Sequence, residues 1–138
     1  MRLTRRYRFS ASHRLHSSQL SEAENDVTYG KCNHPYGHGH NYLLEVTVRG
    51  AVDSVTGRVA DLPSLDEFVQ KEIVSRYDHR NLNEQVSELA GLVPTTEVVS
   101  AAIHARLDAH WPQTLPQLDR VRIWETRNNI FEVSKEQV

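Results

Sequence analysis

Apolar and polar residues alternate from Leu3 to His13. Leu3, Tyr7, Phe9, Ala11 and His13 share one parity, with Arg5 the exception; Arg6, Arg8, Ser10 and Ser12 share the other. Such alternation predicts a half-buried strand. A second strand is expected from about His40 to Gly50, where Tyr42, Leu44, Val46 and Val48 line one face. Residues 14 to 40 read mostly as connection, with a short helical turn possible at Ser21-Glu22-Ala23-Glu24, capped by Ser21 and boxed by Glu24. Asp53 to Gly57 reads as a turn. A helix follows, capped by Asp61 or Ser64, and its apolar stripe is Leu65, Phe68, Val69, Ile73 and Tyr77. A polar loop runs from Tyr77 to Pro94. Thr95 can cap a second helix, whose stripe is Val99, Ala102, Ile103, Arg106, Leu107 and His110, ended by Pro112. His104 and His110 are expected on its surface or end, without chemistry. Strand three spans Leu118 to Thr126, Asn128-Asn129 turns the chain, and strand four begins at Ile130. The order strand-strand-helix-helix-strand-strand predicts an α+β layer: a four-stranded antiparallel sheet with both helices on one face.

The chain has 138 residues, enough for one domain, here 1–138, with its own core. Sixteen basic and 18 acidic residues give a net charge of -2, which argues against a nucleic-acid partner. No apolar run approaches a membrane span, and no apolar signal core follows the basic Met1–Arg6. The single cysteine excludes an intramolecular disulfide; together these features point to the cytoplasm.

Candidate chemistry gathers around Gly37-His38-Gly39-His40. His38 and His40 are two apart, so on a strand they point to one face, and they have the parity of Tyr42 and Leu44. His13 lies on the apolar parity of strand one. If the two strands pair, three imidazoles meet at the strand ends, a donor set suited to Zn²⁺ with a position left open. Cys32 stands six positions before His38 in a polar, turn-rich loop. Asp78 and His79 are adjacent. Glu125 continues the core-facing parity of Val121 and Ile123, which is costly for a carboxylate unless it is paired or lies in a pocket. The hydroxyls of Thr95 and Thr96, at a helix N-terminus, could cap only or could meet a polar ligand.

Taken together, Phe9-Ser10-Ala11-Ser12-His13-Arg14-Leu15, Gly30-Lys31-Cys32-Asn33, Gly37-His38-Gly39-His40-Asn41-Tyr42, Asp78-His79-Arg80-Asn81-Leu82, Thr95-Thr96-Glu97 and Trp124-Glu125-Thr126 resemble the 6-pyruvoyl-tetrahydropterin synthase family. The resemblance spans nearly the whole chain in the right order. It implies a tunnelling fold, in which trimers close a barrel and two trimers stack into a homohexamer with active sites at subunit interfaces. It further implies one Zn²⁺ per subunit on His13, His38 and His40, a catalytic thiol at Cys32, and an acid–base pair at Asp78 and His79. The pterin would be anchored by Glu125, with Thr95, Thr96 and Glu97 beside it. The implied activity is that of a phosphorus–oxygen lyase of tetrahydrobiopterin biosynthesis, converting 7,8-dihydroneopterin triphosphate to 6-pyruvoyl-tetrahydropterin with Mg²⁺ aiding the triphosphate.

Five residues separate Cys32 from His38. That spacing resembles the pyruvoyl-forming enzymes rather than the related 6-carboxy-tetrahydropterin synthases of queuosine and other deazapurine biosynthesis, where it is typically shorter. A non-catalytic pterin-binding module is the alternative from another class; the thiol, the Asp-His pair and a set of three imidazoles argue against it. Two residues depart from the family pattern. Trp124 stands where Tyr is common, and His34 where a plainer polar residue is usual, in reach of metal or phosphates.

Overall fold

The computed structural model describes residues 1–137. β1 (Arg2–His13) and β2 (His38–Arg49) pair antiparallel along their whole length, from Arg2 opposite Arg49 to His13 opposite His38. β2 therefore starts two residues earlier than its apolar pattern predicts, and takes in His38 and Gly39. β4 (Gln117–Thr126) pairs antiparallel with β2, and β5 (Asn129–Ser134) with β4. The expected four-stranded antiparallel sheet is instead five-stranded and mixed, because Arg80–Asn81 forms a short β3 parallel to Ala11 and Ser12 at the edge beside β1. Two residues carry no period, so only tertiary pairing could reveal this strand.

α1 (Glu22–Tyr29) is a full two-turn helix, a third helix beyond the two that close the core. The Ser21 hydroxyl accepts from the Glu24 N–H, and the Glu24 carboxylate accepts from the Ser21 N–H. α2 (Leu62–Val69), a wide turn over Gln70–Val74 and α3 (Ser75–Tyr77) form one continuous helical segment. Leu65, Val69, Ile73 and Tyr77 along it are completely buried. A strict four-residue spacing drifts around a 3.6-residue helix; the i→i+5 turn at Gln70–Val74 absorbs that drift and keeps the later residues facing the sheet. α4 (Thr96–His110) is capped by Thr95, whose hydroxyl accepts from the Val98 N–H at 3.3 Å, and lies against β4 and β5. The core fills the layer between sheet and helices: Phe9, Tyr42, Leu44, Val46, Val121 and Ile123 from the strands, against Leu65, Ile73, Val99, Ile103 and Leu107.

Two positions differ from the sequence pattern. His104, expected on the helix surface, is 3% exposed. Burial holds its imidazole below the ordinary histidine range, opposed by the charge of Asp108. Glu45, on the outer parity of β2, is 4% exposed because Arg6 (2.9 Å) and Arg122 (3.6 Å) close over its carboxylate. Long arginine stems cover this second face of the sheet where apolar residues would otherwise be needed.

Candidate active site

The pairing of His13 with His38 at the open end of β1 and β2 builds the centre of the site. His40, two residues on, shares the face. The rings stand edge to face, with centroids 4.6 Å (His13–His38), 5.1 Å (His13–His40) and 4.9 Å (His38–His40) apart. One ring nitrogen from each lies within 4.8 Å of the others, the one such convergence of metal-ligating side chains among the described residues. Nitrogens bound to a single zinc lie about 2.0–2.1 Å from it, so a set shared by one ion spans up to about 4 Å. Small ring rotations bring the three within that span.

His13 is pre-set for such a role. Its Nδ1–H donates to the Pro94 carbonyl at 2.8 Å, which leaves Nε2 as a lone pair. That Nε2 faces the His38 Nε2 at 2.9 Å. Burial holds the His13 imidazole below its ordinary value, with the Pro94 bond opposing. Burial also lowers His38, helped by His40 beside it. Both are thereby favoured in the neutral form that ligates. Tyr42 packs under the group, its ring 5.6 Å from that of His40 and 5.0 Å from Phe9.

Gly37 allows the close approach that this needs. Its φ is +75°, and a Cβ there would meet the His13 carbonyl oxygen at 2.9 Å. The turn into β2 thus rests directly on the backbone of His13.

Glu125 stands near the histidines, and its charge acts on His13, His38 and Tyr42. It sits at an irregularity of β4: Trp124 pairs with Ile130 and Thr126 with Asn129, which leaves Glu125 out of the ladder. The Thr96 hydroxyl donates to its carboxylate. One segment, Pro94–Thr96, therefore orients both His13 through a carbonyl and Glu125 through a hydroxyl. Thr95 is used as the helix cap. Glu97 is exposed on the first turn of α4, away from these contacts.

Cys32 lies in a 3₁₀ turn, Gly30–Asn33, half-buried and outside the histidine group. Its carbonyl accepts from the Leu15 N–H at 2.8 Å, two residues past His13. His34 is exposed, and its Nδ1 accepts from the Tyr36 N–H at 3.3 Å, so it too stands apart from the group.

Asp78 and His79 form a pair at the end of α3. Asp78 Oδ1 accepts from the Ser10 N–H at 2.8 Å, and its other oxygen lies 3.0 Å from His79 Nδ1. The Ser10 amide, more than His79, holds the Asp78 carboxyl below the usual carboxylate range. His79 has φ +59°, uncommon for a side-chain-bearing residue, and is pinned by its own N–H donating to the Ser10 carbonyl at 2.6 Å. Its ring is 82% exposed and borders a hollow that Ser10, Ser12, His40 and Asn41 also line. The Asp-His pair thus stands apart from the converging nitrogens of His13, His38 and His40, with the His79 ring open to the surroundings.

Comparison with known proteins finds one family along nearly the whole chain. The sequence profile described as 6-pyruvoyl tetrahydropterin synthase matches residues 2–136. The chain is 48% identical over 128 residues to a 6-pyruvoyl tetrahydrobiopterin synthase of Poecilia reticulata, covering 93% of this chain and 86% of that protein. It is 47% identical over 131 residues to the enzyme of the same name from Drosophila melanogaster, covering 94% and 76%. The structure of Caenorhabditis elegans 6-pyruvoyl tetrahydropterin synthase superposes with a TM-score of 0.88 at 39% identity, covering 97% of this chain and 94% of that one.

Proposed function

The chain belongs to the 6-pyruvoyl tetrahydropterin synthase family, and we propose that it is a zinc-dependent lyase converting 7,8-dihydroneopterin triphosphate to 6-pyruvoyl-tetrahydropterin with release of triphosphate. The observation that carries this reading is the convergence of His13, His38 and His40 beside a carboxylate, Glu125, with Cys32 outside that group in a turn tied by its backbone to Leu15. The five-residue gap from Cys32 to His38 and the names of the similar proteins favour the pyruvoyl product over the carboxy one.

Three imidazoles suit Zn²⁺ and leave a position free. When bound there, the ion would polarise the side-chain oxygens of the dihydropterin and acidify the adjacent C–H. Cys32, as thiolate, removes that proton. Glu125 accepts two N–H bonds from the aminopyrimidinone edge and is held in aim by Thr96. His79, with Nδ1 on Asp78, keeps Nε2 free to return protons as the side chain rearranges and triphosphate leaves. Mg²⁺ accompanies the triphosphate.

An exposed His79 that stands outside the histidine group supports an assembly in which each site takes its Asp-His pair from a neighbouring copy. Trimers that close a barrel, stacked as a homohexamer, meet that need. No helix among the described residues is long and apolar enough to cross a membrane, and a working thiol fits the reducing cytoplasm.

Product analysis by mass spectrometry with 7,8-dihydroneopterin triphosphate tests the proposal. A pyruvoyl product with triphosphate release is expected. A carboxy product with loss of acetaldehyde would assign the chain to the carboxy-forming relatives, and absence of turnover by the zinc-loaded protein would refute the enzyme reading.

A further inference from the structure

The turn that carries Cys32 is held by polar contacts, three of which reach the residues just after His13: Arg14, Leu15 and His16. Asn33 is the buried side chain of the Gly30–Asn33 turn. Its Nδ2 donates to Asp26 Oδ1 at 3.0 Å. A carboxylate only accepts, so this contact fixes which way the amide points. Oδ1 then faces His16, whose Nδ1–H donates to it at 2.8 Å. The Asn33 carbonyl accepts from Arg14 Nε at 3.0 Å, and the Cys32 carbonyl accepts from the Leu15 N–H at 2.8 Å. Arg14 is clamped in turn by Asn83, which accepts from its N–H at 2.7 Å and donates to its carbonyl at 2.8 Å.

We propose that Asn33 is a positioning residue for the reaction: by bridging Asp26 of α1 to His16, it sets Cys32 at a fixed offset from the His13 ligand. The inference rests on Cys32 acting as the base, as proposed above. A base works only within hydrogen-bond reach of its proton, and a shift of the order of 1 Å can cost about 10²-fold in rate. The Leu15 and Arg14 contacts reach only backbone carbonyls of the turn, whereas the Asn33 amide is the side chain that ties the turn to both α1 and the segment after His13. An Asn at 33 supplies both the donor that Asp26 requires and the acceptor that His16 requires; Asp supplies only the second.

The zinc-loaded Asn33→Asp variant tests this, with Asp26→Asn added to restore a donor–acceptor pair in reversed sense. The expected result is kcat lowered about 10- to 10²-fold with KM and zinc content near wild type, and recovery of most of the loss in the Asn33→Asp/Asp26→Asn double variant. Cys32 is the sole cysteine, so alkylation by iodoacetamide reads its environment alone and should change in Asn33→Asp and revert in the double variant. Wild-type kcat in Asn33→Asp, or no recovery in a folded, zinc-loaded double variant, would overturn the proposal. Should Asn33→Asp not fold, Asp26→Ala at an exposed position serves instead, and an unchanged kcat there is equally fatal. Cys32→Ser separates the two levels. If it keeps full turnover, the base assignment fails; if it is inactive while Asn33→Asp is normal, only the positioning role fails.

Discussion

The Pro94 carbonyl accepts a hydrogen bond from His13 Nδ1 at 2.8 Å, joining the start of α4 to the end of β1. That bond decides which nitrogen of His13 keeps its lone pair. Pro94 has no N–H of its own to compete, and Thr96, two residues on, reaches Glu125. His13→Ala should therefore strip most of the zinc, measured by elemental analysis of the purified protein. Full zinc with unchanged coordination in that variant would contradict the three-ligand set.

The metal-free protein should lose stability as the pH falls below about 6.5. Burial lowers His13, His38 and His104 in the folded chain, so the unfolded chain binds more protons in the window between the folded values and the ordinary 6.5. Their contribution is complete above that window and disappears as they protonate on descending through it. Urea midpoints compared at neutral and mildly acidic pH read this, and His104→Gln should reduce the difference. A midpoint that rises on acidification would contradict it.

Glu125→Gln should raise KM at least about tenfold, since a charge-assisted acceptor pair becomes half donor and a ligand N–H loses its partner. Thr96→Val should raise KM less, by freeing a carboxylate that stays charged. Wild-type KM in Glu125→Gln would remove the pterin-anchoring role.

Gly37→Ala should destabilise the fold by about 1–2 kcal/mol from its left-handed backbone alone, with more from the 2.9 Å approach to the His13 carbonyl. Zinc affinity should fall with it, because the same backbone carries His13. An unchanged denaturation midpoint would show that the turn is not constrained as described.

Much of this arrangement is legible from period and parity, and the exceptions share a cause. The alternation of Phe9, Ala11 and His13 and of His38, His40 and Tyr42 is a local property, so it puts each imidazole on the core-facing parity of its own strand, and the pairing of His13 with His38 brings them together. The bond from Thr96 to Glu125 spans 29 positions and crosses from helix to strand, so no local pattern encodes it. β3 is two residues long and exists because Ala11 and Ser12 offer an edge. Glu45 looks solvent-facing by parity; its burial depends on Arg6 and Arg122 from strands on either side. His104 falls off the apolar stripe of α4 and is buried all the same. Asn33 looks like any loop asparagine until Asp26 and His16 are seen to need opposite halves of its amide.

If each site takes its Asp-His pair from a neighbouring copy, as proposed, two inactive variants should rescue each other. Cys32→Ala and His79→Ala protein, dissociated together and reassembled, should regain a fraction of wild-type turnover, whereas each reassembled alone should not. Absence of rescue in mixed assemblies of proven composition would place the complete site within one chain.

The most direct test of the whole account is triphosphate release by the Cys32→Ala variant at verified zinc content. A Cys32 thiolate that acts as base and not as ligand predicts one zinc per chain, near-normal pterin binding, and turnover slower by at least about 10²-fold. Loss of zinc would make Cys32 a fourth ligand of a closed site, and undiminished turnover with zinc in place would contradict the thiolate mechanism outright.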